Sequence, residues 1–368
     1  MAQYKSDLDT PALIVNIDKL KFNIQDMADF AAAEGIQLRP HAKTHKTPEI
    51  GKLQLEAGAV GLTVAKLSEA QVFIDAGCRE ILVAYPLVGP AKHRRLIELC
   101  QRANITTVLD HVDIAAALSR SMSANGLELP VMIEVDTGLE RCGVPPGAPA
   151  SELAQGIARL PGLRFAGLLT HEGHAQLAGA PDQVRATGLS AGRMMAETAE
   201  LIRKSGLEVP IISVGLTATA KITATVAGVT ETRPGIYVFY DRSEVLHKVV
   251  RPDRCAARVL ATVATRPTAD RIILDAGTKA LTSDRAGVSP PVMGHGLVID
   301  HPDWEIKSLS EEHGATSIPP DDPARIGDRV EIIPNHICPV INLFDSMFIT
   351  QGERVIDEWM VAARGKSQ

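Results

Sequence analysis

Basic and imidazole side chains crowd one short segment of the chain, Arg39-Pro40-His41-Ala42-Lys43-Thr44-His45-Lys46. Such groups repel one another unless an anion lies among them, and their crowding lowers the pKa of a lysine. A lysine amine without its proton is a nucleophile. The segment therefore predicts a nucleophilic lysine beside an anion, and the alternative is a solvated basic loop.

A second segment, Ser213-Val214-Gly215-Leu216-Thr217-Ala218-Thr219, follows a short apolar run and is rich in small and hydroxylated residues. Residues of this kind let a turn present its backbone N–H groups to a phosphate. Arg233-Pro234-Gly235-Ile236-Tyr237 offers further amides. An ordinary strand-to-helix turn has the same composition. Together with a lysine on another strand, however, a phosphate-binding turn indicates pyridoxal 5'-phosphate (PLP) as the cofactor.

The segment Pro334-Asn335-His336-Ile337-Cys338-Pro339 contains two residues of the types that bind metals. Residues i and i+2 of a strand point to the same side, so His336 and Cys338 are predicted to share one ion. An imidazole with a thiolate favours zinc. The alternative is a buried cysteine beside a capping histidine.

Two further groups of polar residues follow predicted strands. Arg141 comes after the strand end Glu134-Val135-Asp136, and it is expected to pair either with a cofactor oxygen or with Asp136. His171, Glu172 and His174 follow another strand and are candidate acid–base groups, since histidine titrates near neutral pH. One of them is alternatively a structural hydrogen-bonding group.

The elements that position these residues alternate between strand and helix over the first two thirds of the chain. Alternation at this spacing indicates parallel strands with crossover helices, and about eight units indicate a TIM-type (β/α)8 barrel. A doubly wound open sheet is the alternative. The predicted strands are Ala12–Asn16, Gly61–Val64, Glu80–Ala84, Ile105–Leu109, Val131–Val135, Arg164–Leu169 and Ile211–Val214, with Ile36–Leu38 before the basic segment.

Strands dominate after Arg251, and the proline-rich turn at 319–323 separates two of them. The sequence thus predicts an α/β barrel over residues 10–250 and a mostly-β, metal-binding domain over residues 251–368, which the segment 1–9 joins. Its predicted strands are Arg258–Thr265, Arg271–Leu274, Glu305–Leu309, Arg329–Ile333 and Ser346–Thr350.

Composition excludes several classes of partner. Aromatic residues make up only 4% of the chain, which argues against stacking on single-stranded nucleic acid, and the net charge of −6 argues against a large polyanion. No apolar run approaches the length of a membrane span, and the charged start of the chain predicts no signal peptide. A cytoplasmic protein without a nucleic-acid or membrane partner is expected. Five cysteines without a Cys-x-x-Cys pair argue against a disulfide framework.

The motifs occur in an order typical of one family. "TPALIVN", "RPHAKTHKTPEI", "VDTGLERCGV", "SVGLTATA", "RPGIYVF", "LDAGTKAL", "EEHG" and "PNHICPVINLFD" follow one another along nearly the whole chain. The chain resembles the D-threonine aldolase and D-serine dehydratase family of fold-type III PLP enzymes, whose barrel is like that of alanine racemase.

This resemblance implies roles for particular residues. Lys43 would form the Schiff base with PLP, and Arg141 would contact the cofactor. His336 and Cys338 would bind a divalent metal, with zinc favoured and manganese or magnesium as other candidates. The family also implies a homodimer and a small D-amino acid substrate. The phosphate would lie on Gly215, Thr217, Ala218 and Thr219 and near Gly235 and Tyr237.

Two departures from the aldolase pattern favour dehydration and deamination of a D-3-hydroxy amino acid. Aldolases that resemble this chain carry His-x-Asp at the metal pair, whereas His336-x-Cys338 is similar to D-serine dehydratases. Their base histidine follows a glutamine, but here Gln176 precedes Leu177. Retro-aldol cleavage to glycine and an aldehyde remains the alternative, with His174 as a replacement base.

Other functions fit less well. An amino-acid racemase would share the fold and the lysine but would need no metal pair. A non-catalytic PLP carrier would consist of the barrel alone, so the residues after Arg251 argue against it. A sugar-phosphate enzyme on a TIM barrel is a third alternative, which the absence of PLP binding would favour.

Overall fold

The computed structural model describes residues 3–368, and the chain starts with two strands, β1 (Gln3–Tyr4) and β2 (Ala12–Asn16). The first helix, α1 (Ile17–Ala33), follows at once, and the Asn16 side chain caps it by accepting a hydrogen bond from the Lys19 N–H at 2.9 Å. Apolar residues at helical spacing bury one face of α1, namely Leu20, Ile24, Met27, Ala28 and Ala31.

Eight parallel strands then form the barrel in the spatial order β3-β10-β9-β8-β7-β6-β5-β4. They are β3 (Gln37–Leu38), β4 (Leu62–Val64), β5 (Glu80–Val83), β6 (Asn104–Leu109), β7 (Leu129–Glu134), β8 (Leu163–Leu169), β9 (Ile211–Val214) and β10 (Glu231–Thr232). A parallel bridge between His41 and Thr63 joins the first strand's end to β4, so the sheet closes on itself. This confirms the predicted TIM-type barrel.

Helices cover the outside of the barrel. They are α2 (Pro48–Glu56), α3 (Leu67–Asp75), α4 (Pro90–Cys100), α5 (Val112–Ser123), α6 (Ala148–Ala158), α7 (Pro181–Lys204), α8 (Ala220–Thr223) and α9 (Arg242–Leu246). Leu82, Val108 and Met132 form a separate small cluster of buried apolar side chains. Among residues 3–368, no helix has the length and hydropathy needed to cross a membrane.

The rest of the chain adds a second sheet with strands β11 (Ala257–Thr268), β12 (Arg271–Leu274), β13 (Leu297–Val298), β14 (Glu305–Leu309), β15 (Gly314–Ser317), β16 (Arg329–Ile333), β17 (Ser346–Gln351) and β18 (Arg354–Met360). Two short helices, α10 (Thr278–Leu281) and α11 (Ile337–Ile341), lie between them. The sheet is antiparallel except where β17 runs parallel to β2. A mostly-β second part of the fold is therefore confirmed.

One strand lies in a different sheet from the one predicted. The strand β2 (Ala12–Asn16) was counted with the barrel, but it pairs antiparallel with β11 and parallel with β17. An apolar run shows that a strand is buried, yet it carries no signal of which partner covers it. The first barrel strand is instead the two-residue β3 that follows α1.

The strands β8 and β9 approach each other closely at Gly167, and a substitution there tests this packing. A Cβ atom at this residue, whose φ is +138°, would lie 2.0 Å from the carbonyl oxygen of Ile211. We expect Gly167→Ala to lower the free energy of unfolding by about 2 kcal/mol or more. Gly156→Ala in α6 is the control. The added Cβ atom meets no other atom within 4 Å, so this substitution should raise the free energy of unfolding by about 0.5 kcal/mol. Urea unfolding midpoints measure both changes, and equal midpoints would contradict the packing.

Candidate active site

A cavity of about 490 Å³ opens at the carboxyl ends of the barrel strands, where barrel chemistry takes place. Loops after several strands and one loop of the second sheet line it. Eight of the residues predicted from the sequence lie on its wall: Lys43, Arg141, His171, Gly215, Thr217, Gly235, His336 and Cys338. The structure thus gathers the three separate sequence signals around one space.

Lys43 lies in the loop 41–47 that follows β3. The Lys46 N–H donates to the Ala42 carbonyl at 2.8 Å, which closes a tight turn around Lys43. In residues 3–368, the Lys43 ammonium has neither a hydrogen bond nor an ion pair. Burial lowers its pKa, and the charges of Arg141 and Arg233 lower it further, against the opposing effect of Cys338. Lys43 is therefore suited to act as a neutral amine.

The second lysine of the basic segment has a structural role. Lys46 Nζ donates to Glu69 Oε1 at 2.5 Å and to the Ala363 carbonyl at 3.3 Å. Both Lys46 and Glu69 are buried, so the ion pair is closed off from the cavity. The ion pair therefore leaves Lys43 as the lysine of this segment that is free to react.

The loop after β9 forms an anion cup. Over the described range 3–368, the N–H groups of Leu216, Thr217 and Ala218 meet no acceptor, and the buried Thr217 hydroxyl has no partner. Such unpaired groups are costly unless a ligand satisfies them. Glu172 holds the cup from behind, since Thr219 Oγ1 donates to its carboxylate at 2.7 Å. Three amides and a hydroxyl fit a phosphate group.

A second turn at the cup approaches the loop 41–47 closely. A Cβ atom at Gly235 would lie 2.7 Å from Thr44 Oγ1 and 3.1 Å from the His41 carbonyl, so only glycine fits. Ala218, Thr219 and Tyr237, by contrast, do not line the cavity. The Tyr237 hydroxyl is buried in the core and accepts a hydrogen bond from Gln54, so its predicted contact with the cofactor is not part of this geometry.

His336 and Cys338 face the same cavity, but not through strand geometry. The strand β16 ends at Ile333, and His336 stands at the N-terminus of the short helix α11, which contains Cys338. The predicted i, i+2 strand arrangement is therefore wrong: the strand ends before Pro334, and the extended N-cap residue His336 and Cys338 in the first turn of α11 both reach the cavity. His336 Nδ1 lies 2.9 Å from Asp284 Oδ2, so Nε2 is the ring nitrogen that remains for another partner.

The surroundings of His336 favour positive charge. Burial lowers the pKa of this imidazole, but Cys338, Asp241 and Asp284 outweigh that effect and raise the pKa to about 10. An imidazole, a thiol and nearby carboxylates make a fitting donor set for a divalent ion. Residues 3–368 contain no cluster of three or more His, Cys, Asp or Glu side chains that could hold a metal ion.

The two candidate acid–base histidines differ in position. His171 lines the cavity, and its Nδ1–H donates to the Gly215 carbonyl at 2.6 Å. Burial and the nearby Lys43 lower the pKa of His171 to about 3, so the ring is neutral and Nε2 is an acceptor. His174 does not line the cavity, and its buried Nδ1 has no partner within residues 3–368.

Several residues of the wall were not selected from the sequence. Arg233 was considered only for the amides that follow it, yet its buried guanidinium lines the cavity and donates to the Thr170 carbonyl at 2.6 Å. Glu134 faces Arg141 at 3.8 Å, and burial raises its pKa against the effect of that arginine. Their position directly at strand ends was the available signal. Further polar or sulfur-containing residues of the wall that were not among the predicted site residues are His41, Thr44, Tyr85, Cys142 and Gln176.

A closed α/β barrel with a free lysine, an anion cup and an attached β domain defines an alanine racemase-like protein. Residues 15–243 match the family model of the alanine racemase N-terminal domain, and residues 256–350 match that of a serine dehydratase domain. The chain belongs to the D-threonine aldolase and D-serine dehydratase family of lyases.

Two relatives and two solved structures illustrate this membership. The D-threonine aldolase of Arthrobacter sp. is 34% identical, over 98% of this chain and 94% of that protein. The D-threo-3-hydroxyaspartate dehydratase of Delftia sp. is 34% identical, over 96% and 97%. A solved alanine variant of a dehydratase with that name, described as the metal-free form, has a TM-score of 0.89 at 31% identity, over 97% and 98%. The D-threonine aldolase structure from Filomicrobium marinum has a TM-score of 0.93 at 33% identity, over 100% and 99%.

Proposed function

We propose that this protein is a PLP- and divalent-metal-dependent lyase that dehydrates and deaminates D-3-hydroxy amino acids. The observation that carries the proposal is that Lys43, the anion cup and the pair His336/Cys338 all line one cavity. A lysine and a phosphate site suit PLP, and a nitrogen–sulfur pair suits a Lewis-acid metal. The relatives named above support both the substrate class and the metal.

The residues of the cavity fit PLP. The unpaired amides of Leu216 and Thr217 would hold the phosphate, Arg141 would contact the cofactor, and Lys43 would anchor it covalently. Bound there, PLP supplies an electron-accepting ring that stabilises negative charge at Cα of an amino acid. The anion cup thus sets where the reacting atoms lie relative to Lys43.

Lys43 has the properties of the base at Cα. Burial lowers the pKa of its amine, which favours the neutral form that accepts a proton at Nζ. Arg141 and Arg233 line the cavity, and their positive charges would favour an anionic substrate. Lys43 would take the Cα proton, and departure of the β-hydroxyl would then lead to a keto acid and ammonia.

The metal would lie on His336 and Cys338. Zinc suits this donor pair best, and manganese or magnesium are the other candidates. A divalent ion there would act as a Lewis acid on the β-hydroxyl oxygen. Asp284 would orient His336 by accepting from its Nδ1–H.

Retro-aldol cleavage is the second candidate, and the identity to D-threonine aldolase favours it. That reaction needs a base for the β-hydroxyl proton. The Leu177 side chain is exposed and has no basic group, and His174 lies off the cavity wall. His171, which is neutral and lines the cavity, is the imidazole that would serve. The lack of a dedicated base at position 177 is our reason for preferring dehydration.

Product analysis tests the proposal. The purified protein with PLP and zinc or manganese would be incubated separately with D-serine, D-threonine and D-threo-3-hydroxyaspartate. We expect a keto acid and ammonia in equal amounts. Formation of glycine and an aldehyde would instead show that the reaction is retro-aldol cleavage. If neither pair of products formed from any of the three substrates, the lyase proposal would be overturned.

Lys43 and Lys46 can be distinguished directly. Borohydride reduction of the PLP-loaded protein should fix one cofactor on the peptide that contains Lys43, as measured by mass spectrometry. Lys43→Ala should remove both the label and the visible absorbance. Lys46→Arg is the matched control, because it retains a cation for Glu69 and should keep the label. A label on residue 46 would contradict the assignment.

Metal dependence is tested at Cys338. Cys338→Ala should lower the rate by about 100-fold or more, since a metal ligand is lost, while PLP binding persists. Chelation of the wild type should have a similar effect that added zinc or manganese reverses. Cys142→Ala is the control, because Cys142 lines the same cavity but is not one of the two proposed metal ligands. Its rate should stay close to that of the wild type. An unchanged rate after chelation would exclude the metal from the reaction.

A further inference from the structure

Tyr237 lies behind the anion cup rather than on the cavity wall. Its ring is fully buried in the core cluster shared by the barrel and the second sheet. Its hydroxyl accepts a hydrogen bond from Gln54 Nε2 at 3.0 Å. Because Tyr237 follows Gly235 by two residues, this hydrogen bond ties the second turn of the cup to helix α2.

The hydrogen bond continues to the loop that carries Lys43. Gln54 Oε1 lies 3.1 Å from His45 Nε2, and the Thr47 N–H donates to His45 Nδ1 at 3.1 Å. The Gln54 Oε1 atom can only accept, so His45 Nε2–H donates to it. Burial lowers the pKa of His45 to about 4, so the ring is neutral, and Nδ1, which also lies 3.1 Å from the Thr47 carbonyl, accepts from the Thr47 N–H. Tyr237, Gln54 and His45 are each 0% exposed, so water does not replace these bonds.

The loop that carries Lys43 is thereby hydrogen-bonded at both of its ends to the turn that contains Gly235. At the start of its loop, the His41 N–H donates to the Pro234 carbonyl at 3.0 Å. At the end of the loop, the buried relay His45–Gln54–Tyr237 reaches the residues just after Gly235. Both ties join the lysine loop to the turn that borders the anion cup, so they set the distance between amine and cup.

We propose that Tyr237, Gln54 and His45 form a relay that positions the Lys43 amine relative to the anion cup. The three are positioning residues, since none of them lines the cavity. The inference rests on the proposed function in one respect, namely that PLP binds in the cup. It assigns Tyr237 a role different from contact with the cofactor.

The physical basis is the cost of unpaired polar groups in a dry interior. When the Tyr237 hydroxyl is removed, the Gln54 amide loses a partner that water cannot replace, so the loop 41–47 must move to satisfy it. The amides of the cup take no part in the relay and keep their arrangement. Small displacements of a reacting group lower rates strongly, by up to about 100-fold per Å.

Two ligands separate positioning from binding. Pyridoxamine 5'-phosphate carries the phosphate but no aldehyde, so its dissociation constant reports on the cup alone. PLP carries the aldehyde, with which the Lys43 amine forms a C=N bond and releases one water. Absorbance after mixing PLP with cofactor-free protein gives the rate constant of this step.

We expect Tyr237→Phe to change the dissociation constant of pyridoxamine 5'-phosphate less than ~2-fold and to slow bond formation with PLP ~10-fold. Tyr240→Phe is the matched control: Tyr240 is buried in the same core cluster, and within residues 3–368 its hydroxyl makes no hydrogen bond. That variant should match the wild type in both measurements.

Substitutions at residue 45 test the relay from its other end. His45→Gln retains an acceptor for Thr47 and a donor for Gln54, so it should keep the rate within ~3-fold, whereas His45→Leu should slow it like Tyr237→Phe. Wild-type rates in both Tyr237→Phe and His45→Leu would overturn the relay. Equal weakening of pyridoxamine 5'-phosphate binding would reassign Tyr237 to the cup itself. Failure of the wild type to bind either ligand would instead refute the proposed function.

Discussion

The seam of the barrel is the constraint on which the site depends. The Ala42 N–H donates to the Thr63 carbonyl at 2.7 Å, and the Thr63 N–H donates to the Pro40 carbonyl at 2.8 Å. These bonds close the sheet, and they belong to the segment that carries Lys43. The same hydrogen bonds therefore close the barrel and fix the position of the Lys43 amine. A barrel that stayed open would also lose the contact between the lysine loop and the turn at Gly235.

Much of the fold follows from sequence periodicity, because most barrel strands lie within a few residues of their predicted bounds. The helix α1 (Ile17–Ala33) is also marked locally, by the cap at Asn16 and by an apolar stripe. The strand β3 (Gln37–Leu38) was predicted as Ile36–Leu38, whereas β10 (Glu231–Thr232) is too short for a periodic signal. The sheet to which Ala12–Asn16 belongs is decided by partners far along the chain, and local pattern carries no record of them.

The site was predictable as a set of segments but not as individual contacts. Lys43 and Lys46 are the same residue type in the same basic segment. They differ in the folded protein because Lys46 forms an ion pair with the buried carboxylate of Glu69. His336 and Cys338 were predicted together from strand spacing, yet His336 is the extended residue before α11 and Cys338 lies in the first turn of that helix. Tyr237 lies in a motif of the cup, but its side chain points into the core. Motifs therefore locate chemistry to within a loop, and tertiary packing decides which side chains take part.

The position of β2 has a consequence for biosynthesis. Its partners in β11 lie far along the chain, with Ala12 opposite Leu260, a separation of 248 residues. During translation this apolar strand leaves the ribosome long before β11 and β17 exist, so the whole barrel is synthesised between the two halves of one sheet. Pairing over such a distance is slow and of high contact order. The exposed edges of the unfinished sheet would make the nascent chain prone to aggregation and dependent on chaperones until its last strands are complete.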